Sequence, residues 1–96
     1  MNVGVAYGSD VELVKDILID VAVNNPYVIK YPAPFVRFVE FGDSSLNFKL
    51  FFFSRNFIVI EDIKSDMRFE VVKKFNEKDI TIPFPQRVVW TNKVIE

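Results

Sequence analysis

From Val3 to Tyr7, bulky apolar residues alternate with smaller ones up to a break at Gly8, and this period of two predicts a first strand. The sequence Ser9-Asp10-Val11-Glu12 then has the spacing of a capping box, in which the Ser9 hydroxyl accepts a backbone N–H and Glu12 reaches back. We therefore predict a first helix that starts here and ends at Asn24-Asn25-Pro26. Its apolar residues recur at helical spacing, at Val11, Val14, Ile17, Leu18, Val21 and Ala22.

Two runs rich in β-forming residues follow, Phe35 to Phe41 and Leu46 to Phe53, and the turn from Gly42 to Ser45 separates them. This arrangement predicts a β-hairpin. From about Asn56 the apolar residues step by threes and fours, which predicts a second helix along Ile60, Ile63, Met67, Val71, Val72 and Phe75. A proline-rich segment then leads into a predicted last strand, Val88 to Ile95.

The order strand, helix, strand, strand, helix, strand predicts an α+β protein with a ferredoxin-like βαββαβ sandwich, an antiparallel four-stranded sheet with two helices on one face. Two prolines spaced two residues apart leave one side of a strand without N–H donors, as sheet edges tolerate. Such pairs, Pro32 with Pro34 and Pro83 with Pro85, precede the second and the last strand. They favour edge positions for these strands, in agreement with the ferredoxin-like order 4-1-3-2.

Both faces of the predicted hairpin carry large apolar side chains. In the third strand, alternate residues share one face, namely Leu46, Phe48, Leu50 and Phe52. Phe51 and Phe53 lie on the other face, beside Asn47 and Lys49. Strict alternation in the second strand sets Phe35, Val39 and Phe41 against Val36 and Phe38. Two helices cover only one face of such a sheet, so we expect Phe51, Phe53 and the late Trp90 to form contacts between subunits. The alternative is that loops or the C-terminal tail fold over this face.

The composition is that of one small folded domain. The chain has 96 residues and 11.2 kDa, half of its residues are hydrophobic, and 11 of them are Phe. No stretch approaches the roughly 18 to 20 continuous apolar residues of a membrane span. Met1-Asn2 leads directly into a strand pattern, so we expect no secretory signal.

Charge and residue usage exclude several classes of function. The 12 basic and 13 acidic residues are scattered, which disfavours nucleic acid as a partner. The chain has neither Cys nor His, which excludes disulfides, thiolate nucleophiles, Cys/His zinc sites and His-based catalysis.

Four short patterns could carry chemistry, and in each of them a structural role explains the residues better. The acidic residues between Asp10 and Asp16 suit a helix N-terminus rather than a metal or acid/base site. Asp43-Ser44-Ser45 suits a turn, because no His is available for a triad. The run from Arg37 to Phe41 lacks the full RNA-binding pattern, and the turn from Tyr7 to Asp10 lacks the glycines and Lys of a P-loop. We predict no catalytic, cofactor-binding or metal-binding residues.

Several blocks, taken together and in order, resemble one family, the small-conductance mechanosensitive channel (MscS) family, in its C-terminal cytoplasmic domain. The blocks are Val5-Ala6-Tyr7-Gly8-Ser9-Asp10, Asn25-Pro26-Tyr27-Val28, Pro32-Ala33-Pro34-Phe35-Val36, Phe41-Gly42-Asp43-Ser44-Ser45-Leu46, Lys64-Ser65-Asp66-Met67 and Ile80-Thr81-Ile82-Pro83-Phe84-Pro85-Gln86-Arg87. They cover almost the whole chain, and the Ile-Pro-Phe-Pro-Gln element is the most specific of them.

The resemblance implies a non-enzymatic vestibule domain of a mechanosensitive ion channel, on the cytoplasmic side of the cell membrane. In that family transmembrane helices and a middle β domain precede this segment, and neither lies within these 96 residues. The domain is expected in a homo-oligomer, a heptamer in the full channel, whose walls filter ions and small osmolytes.

The resemblance also divides the chain into two parts. Residues 1–87 correspond to the ferredoxin-like domain of the vestibule, and residues 88–96 to a C-terminal strand that joins its symmetry mates in a small barrel. Ile82, Pro83, Phe84, Pro85 and Gln86 correspond to a stiff connector between the two parts. No cofactor is expected.

A second interpretation comes from another class of function. A ferredoxin-like domain hosts many activities, so the chain could be a free-standing regulatory domain that binds a small ligand at a subunit interface. An acylphosphatase-type enzyme is a third interpretation, but the turn from Tyr7 to Asp10 contains no Arg to hold an acyl phosphate.

Overall fold

The computed structural model describes residues 1–83 of the chain. Its elements are β1 (Asn2–Val5), α1 (Val11–Val23), β2 (Phe35–Phe41), β3 (Leu46–Phe51) and α2 (Ile60–Glu77). The strands form an antiparallel sheet in the order β1-β3-β2, so β3 is central and β2 lies at an edge, as the proline pattern predicts. The α+β class is confirmed over these residues. The predicted last strand, Val88 to Ile95, lies outside them.

The hairpin of β2 and β3 contains a bulge that the sequence pattern does not reveal. Phe38 pairs with Phe48, and the next pair joins Glu40 to Asn47, so Val39 is an extra residue in β2. The extra residue reverses the alternation of side chains beyond it. Phe41 consequently lies on the same face as Phe38, with 5.1 Å between their ring centroids. The expectation that Phe41 shares a face with Phe35 is therefore wrong.

The first helix begins one residue later than the capping box predicts. Asp10 is the N-cap, and its Oδ1 accepts a hydrogen bond from the backbone N–H of Leu13 at 3.2 Å. The Ser9 hydroxyl instead donates to the carbonyl of Ala6 at 2.7 Å. A carboxylate suits the positive end of the helix dipole better than a hydroxyl does, which explains the substitution of one cap for the other.

The second helix begins at Ile60, later than the periodicity from Asn56 indicates. Side chains ahead of it bind the local backbone: the Ser54 hydroxyl accepts from the N–H of Asn56, and Asn56 Oδ1 accepts from the N–H of Ile58, each at 3.2 Å. These bonds stabilise turns in place of a helix.

Both helices pack on one face of the sheet. Side chains of β3 alternate between buried and half-buried positions, and Leu46, Phe48 and Leu50 are the buried ones. They contact the apolar stripes of α1 and α2 in a core that comprises Val5, Val14, Ile17, Leu18, Val21, Ala22, Val28, Leu46, Phe48, Leu50, Ile63, Met67, Val71, Phe75 and Ile80. The opposite face of the sheet is left uncovered by the helices.

Candidate functional site

The face of the sheet that the helices leave uncovered, here called the outer face, is the candidate functional site. Residues that pair directly across the strands lie on the same face of the sheet, so the register identifies which residues belong to it. Its members are Asn2 and Gly4 from β1, Phe35, Arg37 and Glu40 from β2, and Asn47, Lys49 and Phe51 from β3.

An aromatic pair lies at one end of the outer face. The rings of Phe35 and Phe51 stack with a centroid separation of 4.7 Å and an interplanar angle of 14°. The guanidinium of Arg37 lies 5.8 Å from the centroid of Phe35, and the ammonium of Lys49 lies 5.9 Å from that of Phe51. The two cations thus lean over the two rings, and Phe35 keeps 40% of its surface exposed. This end of the face combines apolar area with positive charge.

The two cations also face each other across the strands. Arg37 is the direct partner of Lys49 in the register, and like charges in such a pair are destabilising. In the described part of the chain the ion pairs join Lys64 to Glu61 and Lys74 to Asp20, and neither outer-face cation has a carboxylate partner. The arrangement can bind a carboxylate that comes from outside these residues.

The outer face also carries the carboxylate of Glu40, which accepts a hydrogen bond from a side-chain amide. Asn47 Nδ2 donates to Glu40 Oε2 at 3.2 Å, and the Ser45 hydroxyl donates to Asn47 Oδ1 at 2.7 Å. Beside these two hydrogen bonds lies a shallow cavity of about 440 Å³, lined by Asn2, Val3, Gly4, Val39, Glu40, Asn47, Phe48 and Lys49. A Cβ on Gly4 would lie 3.3 Å from both Asn47 Oδ1 and Ser45 Oγ, so glycine keeps the floor of this cavity open.

The residues predicted for the interface are placed differently. Phe51 belongs to the outer face, as the alternation predicts. Phe53 follows the end of β3 and is 45% exposed, while its carbonyl accepts from the N–H of Ile29 at 2.7 Å. Of the connector, Ile82 is exposed and Pro83 is half-buried. Phe84, Pro85, Gln86 and Trp90 lie outside the described residues.

Two important members of the site, Phe35 and Arg37, were not predicted as contact residues. The alternation in β2 places Phe35 on one face, but only the register joins it to Phe51 and joins Arg37 to Lys49. Counting outward from the turn would not have found them, because the extra residue Val39 shifts the register by one position before Arg37 and Phe35 are reached.

The N-terminal amine of Met1 is partly buried and lies near positively charged side chains. It donates to the carbonyl of Leu50 at 2.9 Å. Burial, and then the positive charges of Lys64, Lys49 and Arg68, lower the pKa of the Met1 ammonium below its usual 8.0.

The free energy of unfolding is therefore expected to rise with pH between the lowered pKa and about 8, because the unfolded chain binds more protons there. Because the amine is partly exposed, solvent screening keeps this rise in the free energy of unfolding small. Urea unfolding from pH 6 to 9 measures this rise, and acetylation of the amine should abolish it. An acetylated chain with an unchanged pH dependence would contradict the assignment to Met1.

Among residues 1–83 no group of three or more His, Cys, Asp or Glu is placed to hold a metal ion. Asp10, which begins the acidic stretch of the sequence, caps α1. No helix in this range combines the length and the apolar character needed to span a bilayer.

Comparison with known proteins gives the family. Residues 1–82 match the sequence model described as mechanosensitive ion channel MscS, C-terminal. An uncharacterized MscS family protein of Synechocystis is 37% identical over 90 residues, which cover 91% of this chain and 29% of that protein. One from Archaeoglobus fulgidus is 31% identical over 92% of this chain and 31% of its own length.

A named channel is also among the relatives. The small-conductance mechanosensitive channel MscMJ of Methanocaldococcus jannaschii is 29% identical over 97% of this chain and 27% of that channel. The chain thus spans less than a third of the length of these relatives. The match to the family model covers every described strand and helix, and the chain belongs to the MscS mechanosensitive channel family, in its C-terminal domain.

Proposed function

We propose that this domain forms part of the wall of a channel vestibule on the cytoplasmic side of the membrane. In this role it holds subunits of a homo-oligomer together and has no enzymatic activity. The oligomer is a heptamer in the complete channel, and ions and small osmolytes pass the vestibule on their way to the pore. Family membership supports the channel context, and the outer face supports the role in assembly.

The outer face is the observation that carries this proposal. It combines a stacked aromatic pair, Phe35 with Phe51, and two cations without a carboxylate partner in residues 1–83. Aromatic residues and Arg are the residue types that dominate protein interfaces. A second copy that contributes a carboxylate would relieve the repulsion between Arg37 and Lys49 and cover the rings.

The ferredoxin-like order is completed, in this proposal, by the stretch that follows α2. Ile80 is buried in the core, and the carbonyl of Thr81 accepts from the N–H of Ala6 at 2.8 Å, on the side of β1 that faces away from β3. These contacts support the proposal that residues 80–82 take the fourth position of the sheet. Residues 88–96 then serve as the strand that meets other subunits, with Trp90 among its contacts and residues 82–86 as the connector.

Association of the chain tests the proposal. Sedimentation velocity is measured up to about 1 mM, which is the order of effective concentration that a tethered partner provides. We expect reversible association of the native chain and about a tenfold weaker association for Phe51→Ser, since burial of an aromatic ring contributes more than 1.4 kcal/mol at an interface centre.

The matched control is Phe69→Ser, because Phe69 is 75% exposed on α2 and lies away from the outer face. It should associate as the native chain does, and circular dichroism verifies the fold of both variants. A chain that stays monomeric up to 1 mM would overturn the assembly role. A thermal shift with a small metabolite would then favour the regulatory-domain interpretation.

A further inference from the structure

The backbone groups of β1 alternate between the side that faces β3 and the opposite side. Two backbone hydrogen bonds join Met1 to Leu50. The Met1 amine donates to the carbonyl of Leu50 at 2.9 Å, and the N–H of Leu50 donates to the carbonyl of Met1 at 2.8 Å. Residues along a strand point their N–H and C=O groups to alternate sides. The backbone groups of Val3 and Val5 therefore face β3, as those of Met1 do, and the backbone groups of Asn2, Gly4 and Ala6 face the opposite side of β1.

The chain returns to this side of β1 after α2. The N–H of Ala6 donates to the carbonyl of Thr81 at 2.8 Å, so the backbone of Thr81 faces β1. The reciprocal bond is replaced, because the carbonyl of Ala6 accepts from the N–H and the hydroxyl of Ser9. Since β3 runs antiparallel to β1 and α2 brings the chain back, the segment after Thr81 starts out antiparallel to β1.

Continued pairing in this register would set prolines against β1. Each step of two residues backward along β1 corresponds to a step of two forward from Thr81, so Pro83 falls opposite Gly4 and Pro85 opposite Asn2. Both prolines would point their ring nitrogens at β1. There the Cδ atom takes the place of the donated hydrogen, and it would collide with the facing carbonyl oxygen at a hydrogen-bonding distance of about 2.9 Å.

In this register the proline ring nitrogens would point toward the paired strand, which is opposite to their orientation in ordinary edge strands. In an ordinary edge strand a proline turns its nitrogen toward solvent and leaves the paired side intact. We propose that Pro83 and Pro85 terminate the pairing with β1, so that the pairing that begins at Thr81 does not extend to Gly4.

The role of this termination in assembly rests on the proposed function. A C-terminal segment that was hydrogen-bonded along β1 would have its backbone groups satisfied within its own subunit. It could not then pair with a strand of a partner subunit. Termination at Pro83 keeps the segment available for a second copy of the chain. The termination itself depends only on the register at Ala6 and Thr81, and it is testable in a monomer.

Amide hydrogen exchange of the native chain, measured by NMR at a concentration where sedimentation shows monomer, tests the termination. The amides of Val3 and Val5 face β3, and that of Ala6 is bonded to Thr81. We expect the Gly4 amide to exchange at least about a hundredfold faster than that of Val5, because the pairing that begins at Thr81 does not extend to it. A Gly4 amide as slow as that of Val5 would overturn the proposal.

Two variants then separate the direction of the prolines from their stiffness. Pro83→Ala/Pro85→Ala restores both donors, and we expect the Gly4 amide to slow by at least about tenfold as pairing extends. Pro83→Ala/Phe84→Pro/Pro85→Ala keeps a proline but turns it away from β1, and it should give the same slowing. If neither variant slows Gly4, or only the first does, the proposal is wrong.

The outcomes distinguish the two proposals. Fast exchange at Gly4 together with an absence of association up to 1 mM would leave the termination standing and remove the assembly role. Slow exchange at Gly4 in a chain that associates would do the reverse.

Discussion

Replacement of Phe75 by alanine is expected to lower the free energy of unfolding by about 3 to 5 kcal/mol. Phe75 lies in α2 with 1% of its surface exposed, among the largest buried side chains in the core that joins both helices to β3. Its carbonyl also accepts from the N–H of Ile80 at 2.9 Å, which brings the chain back toward β1. Domains of this size have only about 5 to 15 kcal/mol in total, so a large share of the stability would be lost.

Thermal unfolding followed by circular dichroism measures this effect, and a drop in Tm of more than about 12 °C is expected. The same substitution at Phe69 is the matched control, because Phe69 lies on the same helix and is 75% exposed. It should change the stability by no more than about 0.5 kcal/mol. Equal losses in the two variants would show that helix propensity, and not burial, sets the cost.

The periodic parts of the fold were predictable because burial imposes a period on the sequence. The bounds of β2, Phe35–Phe41, agree with the predicted run, and the buried stripe of α1 contains the predicted Val14, Ile17 and Leu18. These elements each bury one face, so their residues alternate or recur accordingly. The family resemblance, carried by short blocks along the chain, was likewise confirmed.

The features that were missed arise from single residues rather than from periods. The bulge at Val39 adds one residue to β2, and no composition signal marks it. The choice of Asp10 over Ser9 as cap depends on which of two adjacent oxygens reaches the helix. The partnership of Arg37 with Lys49 requires the register of the hairpin, which alternation alone leaves open.

For Pro83 and Pro85 too, the sequence gives the spacing of the residues but not their orientation in the sheet. The spacing of Pro83 and Pro85 predicts that one side of the strand lacks donors, but it leaves open which side that is. The hydrogen bond between Ala6 and Thr81 supplies the direction. In our proposal, a pattern that suits an edge strand thereby becomes a reason for the pairing with β1 to end before Gly4.

Replacement of Lys49 by Glu is expected to change stability and assembly in opposite directions. Within one chain, Glu at this position would face Arg37 across the strands, so a repulsive pair becomes an attractive one and the free energy of unfolding rises by up to about 1 kcal/mol. Between chains, the carboxylate proposed to come from the partner would meet another carboxylate. Like charges at an interface cost several kcal/mol, so association should weaken by roughly a hundredfold or more.

Urea unfolding and sedimentation velocity measure the two effects on the same sample of Lys49→Glu. The matched control is Lys73→Glu, which makes the same change of net charge at an exposed position of α2. If both variants weaken association equally, net charge rather than the outer face is responsible. If Lys49→Glu instead unfolds more easily than the native chain, the repulsion between Arg37 and Lys49 is too weak to matter. A stabler monomer that no longer associates is the result that only a cation pair awaiting a partner's carboxylate explains.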